Sequence, residues 1–216
     1  MKKLSLLAGV IVLSMVLFAC NQTPKTTEET PEPEKTIKNL MNAIIGESNA
    51  SAKYAVFSKA AEEAGMLNIA KMFAAAAEAE KIHIANHNVV LKGLFDSEFN
   101  LEVEEHIADK DMLKNLEDAI AGETHEFTEM YPEFIEDANA ENVSDAVKTF
   151  EHALKAEKGH AKHYQDALDI LKSTGNDEGV SSEWYVCPIC GELTPTIEGM
   201  KNCSICGEKV EKFNKF

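Results

Sequence analysis

The chain has 216 residues, 44% of them apolar and 27% charged, which suits one or two folded domains and excludes a multi-span membrane protein. Its 37 acidic side chains outnumber 21 basic ones, all lysine, for a net charge of −16. That surplus repels phosphate backbones, which argues against nucleic acid as a partner, and the lack of arginine removes the planar group that usually pairs a buried carboxylate.

The first element is an address. Met1-Lys2-Lys3 precedes an apolar run over 4–18, the layout of a secretory signal peptide and too short for a comfortable span. The run ends in Leu17-Phe18-Ala19-Cys20, which resembles a bacterial lipobox. The resemblance implies a lipoprotein signal peptide over 1–19, lipidation of Cys20, and an extracytoplasmic, membrane-anchored bacterial lipoprotein that meets the membrane through its lipid alone. Residues 20–35, with their prolines, threonines and glutamates, read as a disordered tether.

Over 36–173 the pattern is helical, with Pro132 the sole proline. It divides into segments at 36–64, 67–94, 111–138 and 143–172. Gly65 is a plausible stop, and Asp111 and Ser144 are plausible N-terminal caps. A longer connection, 95–110, separates two hairpins. These expectations describe a mainly α protein built on a ferritin-like four-helix bundle.

The inward stripes carry the chemistry. In the second segment Ile69, Phe73, Ala76, Glu80, His83, His87, Val90 and Leu94 share a seam whose middle is polar. The fourth places Glu157 among Val147, Phe150, Leu154, Ala161, Tyr164, Leu168 and Leu171, with His160 beside it. The first aligns Glu47 with Ile37, Leu40, Ile44 and Tyr54. The third aligns Glu123 with Leu113, Leu116, Ile120, Phe127 and Met130. Unpaired buried carboxylates are costly and repel one another, so protonation or a pair of metal ions must compensate. Glu80-x-x-His83 and Glu157-x-x-His160, joined by Glu47 and Glu123, make the bundle di-iron or di-manganese constellation, and carboxylate with imidazole suits iron or manganese better than copper. The bland alternative is solvated glutamates with satisfied histidines.

The pattern is duplicated. Ala43-Ile44-Ile45-Gly46-Glu47-Ser48 matches Ala119-Ile120-Ala121-Gly122-Glu123-Thr124 at an offset of 76, and Tyr54 matches Tyr131 at 77. Where the first copy has Ala50, the second has Glu126, an extra carboxylate that one metal could take up or release. His87, one turn beyond His83 on the same seam, carries less weight and is only a candidate support for a ligand. His106, His125, His152 and His163 read as surface or loop residues. Tyr54 and Tyr131 are candidates for bonding the ligands or moving an electron or proton, with packing the competing reading.

After a linker at 174–183, residues 184–216 carry Cys187-Pro-Ile-Cys190-Gly191 and Cys203-Ser-Ile-Cys206-Gly207. Two C-x-x-C pairs at this spacing predict a tetrahedral four-thiolate site, with two disulfides as the alternative. Zinc would make it a staple and iron a one-electron carrier. The C-P-x-C-G form, attached to a redox-capable bundle, favours iron. The expected cofactors are therefore two irons in the bundle, with manganese as the substitute, and one iron among the cysteines, with zinc as the substitute.

Taken together, these motifs resemble the rubrerythrin family over 36–216. The resemblance implies a non-haem di-iron peroxidase that reduces hydrogen peroxide to water in oxidative-stress defence. It implies a rubredoxin-like iron centre relaying electrons, often across a head-to-tail homodimer. It also implies that Glu126 and His83 exchange as ligands of one iron, with Glu126, Tyr54 and Tyr131 as the catalytic candidates. Family members are mostly cytoplasmic and drain electrons through a reductase; a lipoprotein needs an external redox carrier as donor. A ferroxidase or iron-handling protein, and a structural lipoprotein with a zinc knuckle, are the competing readings.

Overall fold

The structure, a computed structural model, describes residues 32–95 and 99–216; the expected signal peptide, Cys20 and most of the expected tether lie outside the described residues. It contains α1 (Glu34–Glu63), α2 (Leu67–Leu94), α3 (Met112–His125), α4 (Tyr131–Ala140), α5 (Ser144–Thr174) and three short strands, β1 (Tyr185–Val186), β2 (Leu193–Thr194) and β3 (Asn214–Lys215). Residues Pro33–Phe216 form one compact unit. Helix α1 packs on α2, and α3 with α4 packs on α5, so the two expected hairpins form the bundle. Among the described residues no helix is long and apolar enough to cross a membrane.

Helix α1 begins at Glu34, inside the stretch read as tether, and its cap comes from far away. Pro33 offers no capping side chain. Instead Glu141, just past α4, accepts from the Lys35 and Thr36 backbone N–H groups at 3.1 and 2.8 Å and from the Thr36 hydroxyl at 2.6 Å. Helix α2 is capped the same way: Asp177 accepts from the Asn68 and Ile69 N–H groups at 2.7 and 3.2 Å. An anion at a helix N-terminus satisfies orphan donors and the helix dipole, worth about 1 kcal/mol each. Asp177, buried Val180 and a bond from Lys71 to the Ser182 carbonyl pin segment 174–183, so it is not the flexible stretch that its composition suggests.

Gly65, at φ +77°, follows the end of α1 as expected, its N–H bonding Glu62 O while Met66 N–H bonds Ala61 O. Asp111 caps α3 by accepting from Leu113 N–H at 3.1 Å. Ser144 does not cap: the chain turns at Asn142, φ +60°, and Ser144 is already the first residue of α5.

The third segment is not one helix. Residues Glu126–Met130 form a π-helical turn, closed by Tyr131 N–H on Glu126 O five residues back. Proline at 132 has no N–H and would clash with the carbonyl four residues earlier; widening the turn avoids the clash. The turn also absorbs one extra residue, since Glu123 and Tyr131 stand one position further apart than Glu47 and Tyr54. Its buried stripe is Met112, Leu116, Ala119 and Glu123, while Leu113, Ile120, Phe127 and Met130 are only partly buried.

Two apolar clusters fill the bundle. One includes Tyr54, Phe57, Met72, Phe73, Leu116 and Tyr164. The other includes Leu40, Ile44, Leu91, Tyr131, Phe134 and Phe150. On every helical arm the predicted ligands fall between residues of the first cluster and residues of the second, so a polar layer is sealed above and below by hydrocarbon. The C-terminal module joins the first cluster through Trp184, Val186 and Leu193. Its sheet has the order β2-β1-β3, all antiparallel, with Tyr185 opposite both Thr194 and Lys215.

Candidate metal centres

The polar layer resolves into two overlapping quartets. Glu47, Glu80, His83 and Glu157 place one ligand atom each within 4.8 Å of one another, and so do Glu80, Glu123, Glu157 and His160. Glu80 and Glu157 belong to both. The Glu157 oxygens lie 2.7 Å from His83 Nδ1 and 2.7 Å from His160 Nδ1, and Glu80 reaches the same two nitrogens at 3.0 and 3.5 Å. The six predicted residues thus converge, and the structure adds what spacing could not: which carboxylates span the two halves.

All six side chains are at most 1% exposed. Eight of their buried ligand atoms, including both oxygens of Glu80 and of Glu157 and Nδ1 of both histidines, have no hydrogen-bond partner in the described structure. Orphaned buried acceptors cost about 1–3 kcal/mol each, more when charged, unless a cation receives them. The tautomers agree. His83 Nε2 and His160 Nε2 sit 3.0 Å from the carbonyls of Cys190 and Gly191. A carbonyl only accepts, so both Nε2 atoms carry hydrogen and both Nδ1 atoms aim at the carboxylates. Four carboxylates also balance the charge of two divalent ions. The donor set fits a pair of such ions.

Without a metal, the layer holds protons instead. Burial, then the neighbouring carboxylates, push Glu47 and Glu123 well above the usual carboxylate range. Burial also opposes Glu157, but His83 and His160 overcome it and hold that carboxyl below its ordinary value. Burial lowers the two imidazoles, and Glu157 more than reverses this.

The tyrosines cross between halves: Tyr54 donates to Glu123 Oε1 at 2.5 Å, and Tyr131 donates to Glu47. Glu126, at the start of the π turn, is only partly buried and stands outside both quartets. Burial, then Glu47 and Glu123, raise its pKa. The structure therefore brings His83 into the cluster and leaves Glu126 at its edge.

The four cysteines form the second centre. Their sulfurs lie within 4.8 Å of one another, with Cys187–Cys206 at 3.5 Å and Cys190–Cys203 at 3.4 Å. A tetrahedral site with metal–sulfur bonds of about 2.3 Å has edges of about 3.8 Å; a disulfide needs about 2.05 Å. All four are free thiols, so the disulfide alternative fails. Two matching loops build the site: Cys187 N–H bonds Glu192 O while Gly191 N–H bonds Cys187 O, and Cys203 and Gly207 repeat the pattern. Gly191 and Gly207 take φ of +75° and +80°. A hydrogen bond from Cys190 holds the Cys187 thiol down at about 5, and that bond with burial pushes Cys190 up. A cation would allow all four to ionise.

Sequence reasoning missed how the centres meet. The first cysteine loop sits on the bundle's ligand histidines. Besides the His83 and His160 bonds, Asn86 Nδ2 donates to Ile189 O at 2.8 Å and His163 Nε2 to Leu193 O at 3.0 Å. His163, read as a surface residue, also packs edge-on against Trp184, with ring centroids 5.1 Å apart. Nothing in the spacing marked these contacts; the one available signal was a glycine directly after a cysteine.

The description Rubrerythrin matches residues 38–168. Rubrerythrin-2 of Clostridium acetobutylicum is 38% identical over 188 residues, covering 84% of this chain and all of that one. Nigerythrin of Nitratidesulfovibrio vulgaris is 35% identical over 181 residues, covering 84% and 86%. The fully reduced, all-ferrous structure of nigerythrin superposes with a TM-score of 0.76 at 34% identity, again over 84% and 86%.

Proposed function

The chain belongs to the rubrerythrin family, a family of oxidoreductases, and from this we propose that it is a peroxidase that reduces hydrogen peroxide to water. In this reading Glu47, Glu80, His83, Glu123, Glu157 and His160 hold two irons, and Cys187, Cys190, Cys203 and Cys206 hold one. Irons held by the bundle residues would supply the two electrons needed to cleave the O–O bond, and an iron held by the four cysteines would supply one-electron transfer to replace them.

The observation that carries the reading is Cys190. Its sulfur belongs to the thiolate quartet and its carbonyl accepts from His83, a ligand of the bundle quartet. One residue thus touches both centres within a single chain. A zinc staple needs no such contact, and a ferroxidase needs no electron input. Glu126, at the edge of the cluster, would be the carboxylate that exchanges with His83 on a bound iron; Tyr54 and Tyr131 hold Glu123 and Glu47 in orientation and can pass protons to them.

The test separates chemistry from supply. Cys203→Ser, loaded with iron in the bundle and reduced, is expected to oxidise at the wild-type rate in one peroxide turnover and to stop there. Repeated cycling by this variant, with a donor that cannot reduce the bundle directly, would refute the relay. Accumulation of ferric product without peroxide consumption would replace the peroxidase by iron handling.

The reading includes an anchored chain, with Cys20 lipidated and an external redox carrier as donor. Cys20→Ala should move the protein from the membrane to the soluble fraction; retention in the membrane would contradict the anchor.

A further inference from the structure

Reducing hydrogen peroxide to two waters breaks one O–O bond, forms two O–H bonds, and consumes two electrons and two protons. The electrons have a source in the reading above, on which this inference rests. The protons need one too, because every residue of the bundle quartets is sealed from solvent.

A hydrogen-bonded chain leads out of the layer on one side. Tyr131 donates its hydroxyl hydrogen to Glu47. His87 Nε2 lies 3.1 Å from that hydroxyl oxygen, and Thr149 Oγ1 lies 3.1 Å from His87 Nδ1. The directions follow one another. Since Tyr131 spends its hydrogen on Glu47, its oxygen accepts, and His87 Nε2 must carry hydrogen. Nδ1 is then a bare acceptor, and Thr149 must donate to it. Thr149 lines a groove of about 790 Å3 between α2, α5 and the cysteine loops, with Asn86, Ser144, Lys148 and His152 on its walls. Every hydrogen in the chain points from the groove toward Glu47. Burial holds His87 down at about 3, so the ring is neutral and its two nitrogens stay a donor and an acceptor.

The duplicated half lacks this outlet. At the offset of 77 that relates Glu80 to Glu157, His87 corresponds to Tyr164 and Thr149 to Met72. Tyr54 bonds Glu123 as Tyr131 bonds Glu47, but among the described residues the Tyr164 hydroxyl beside it makes no hydrogen bond of good geometry, and Met72 is fully buried. Tyr54, Phe73 and Tyr164 close that side, with ring centroids 5.1–6.0 Å apart. Packing alone would be served by an aromatic at 87, as it is at 164.

We infer that Thr149, His87 and Tyr131 form a one-sided proton path that carries hydrogen from the groove to Glu47 during peroxide reduction. A protonated groove water gives a proton to Thr149 as Thr149 gives one to Nδ1, Nε2 gives one to Tyr131, Tyr131 gives one to Glu47, and Glu47 gives one to a peroxide oxygen; the hydroxyls and the His87 ring then return to their starting hydrogens before the second proton follows. No relay group gains or loses a net proton.

Two measurements test it. In zinc-loaded, diamagnetic protein with 15N-labelled histidine, NMR should show His87 as the neutral Nε2–H tautomer; an Nδ1–H tautomer would overturn the path. In iron-loaded, reduced protein, Thr149→Val should keep its ferrous binding and helical content yet slow oxidation by peroxide on the order of 100-fold, the lower range for assisted proton transfer, with a larger solvent deuterium effect. Thr149→Ser should restore the wild-type rate. A Thr149→Val rate equal to wild type would overturn the path. A wild-type protein that peroxide does not oxidise would sink the peroxidase reading instead, while the tautomer still decides the chain.

Discussion

Gly191→Ala is expected to disconnect the four-cysteine centre from the bundle while leaving both centres assembled. A Cβ at 191 would stand 2.3 Å from His83 Nε2, 2.8 Å from its Cδ2 and 3.1 Å from the Ala79 carbonyl. While His83 sits in the cluster it cannot yield, because its Nδ1 is held among carboxylates and its Nε2 is bonded to Cys190 O. The loop must lift instead. Lifting loses the bonds from His83 and His160, about 1 kcal/mol each, which reduces the docked population on the order of 30-fold; the strain of the left-handed backbone, about 1–2 kcal/mol, stays in the loop whether it is docked or lifted. Electron transfer between the centres should fall in proportion, read by stopped-flow from the thiolate-iron band, while that band itself persists. Gly207→Ala is the control: it has a similar φ, +80°, but meets nothing within 4 Å, so it shares the strain without the clash. Equal transfer rates in Gly191→Ala and wild type would show that the docking does not carry the electrons.

Glu157→Ala is expected to abolish metal binding at both positions, whereas Glu47→Gln should lose only one. Glu157 belongs to both quartets; Glu47 belongs to one. The two also differ in metal-free protein. Glu157 is the anion against both imidazoles, so removing it strips a buried pair of its partner, a loss of about 3–5 kcal/mol. Burial and the neighbouring carboxylates raise the Glu47 pKa and so favour its neutral form there, and the amide at 47 can still accept from Tyr131, so Glu47→Gln should leave the melting temperature of metal-free protein nearly unchanged. Iron analysis with thermal melts of apoprotein checks both. One metal retained by Glu157→Ala would refute its bridging position.

The four-helix plan was legible because the polar residues interrupt otherwise apolar seams, and the ligands because E-x-x-H recurs at a fixed offset. Even the π turn left a trace: the offset slips from 76 at Glu47 to 77 at Tyr54, and one inserted residue must go somewhere. Other features had no local signal. Glu141 and Asp177 cap helices that begin more than 100 residues earlier, so nothing beside Pro33 or Met66 announces them. Ser144 had the right chemistry for a cap but the wrong backbone. The seating of the cysteine loop on His83 and His160 is a tertiary fact, set by Trp184, Val186 and Leu193 entering the bundle's core. His87 was placed on the right seam, but its partner Thr149 lies 62 residues away and became visible only when α2 and α5 met.

The central claim is that buried acids from the helices are tolerable because two divalent ions sit among them. Anaerobic titration of metal-free protein with ferrous ion, with the cysteine centre already filled, tests it directly. Glu47 and Glu123 hold protons above the ordinary carboxylate range and must release them to bind metal. The account predicts two equivalents bound per chain, protons released on binding, and affinity rising with pH. Saturation below one equivalent, or binding that releases no protons and is indifferent to pH, would contradict it.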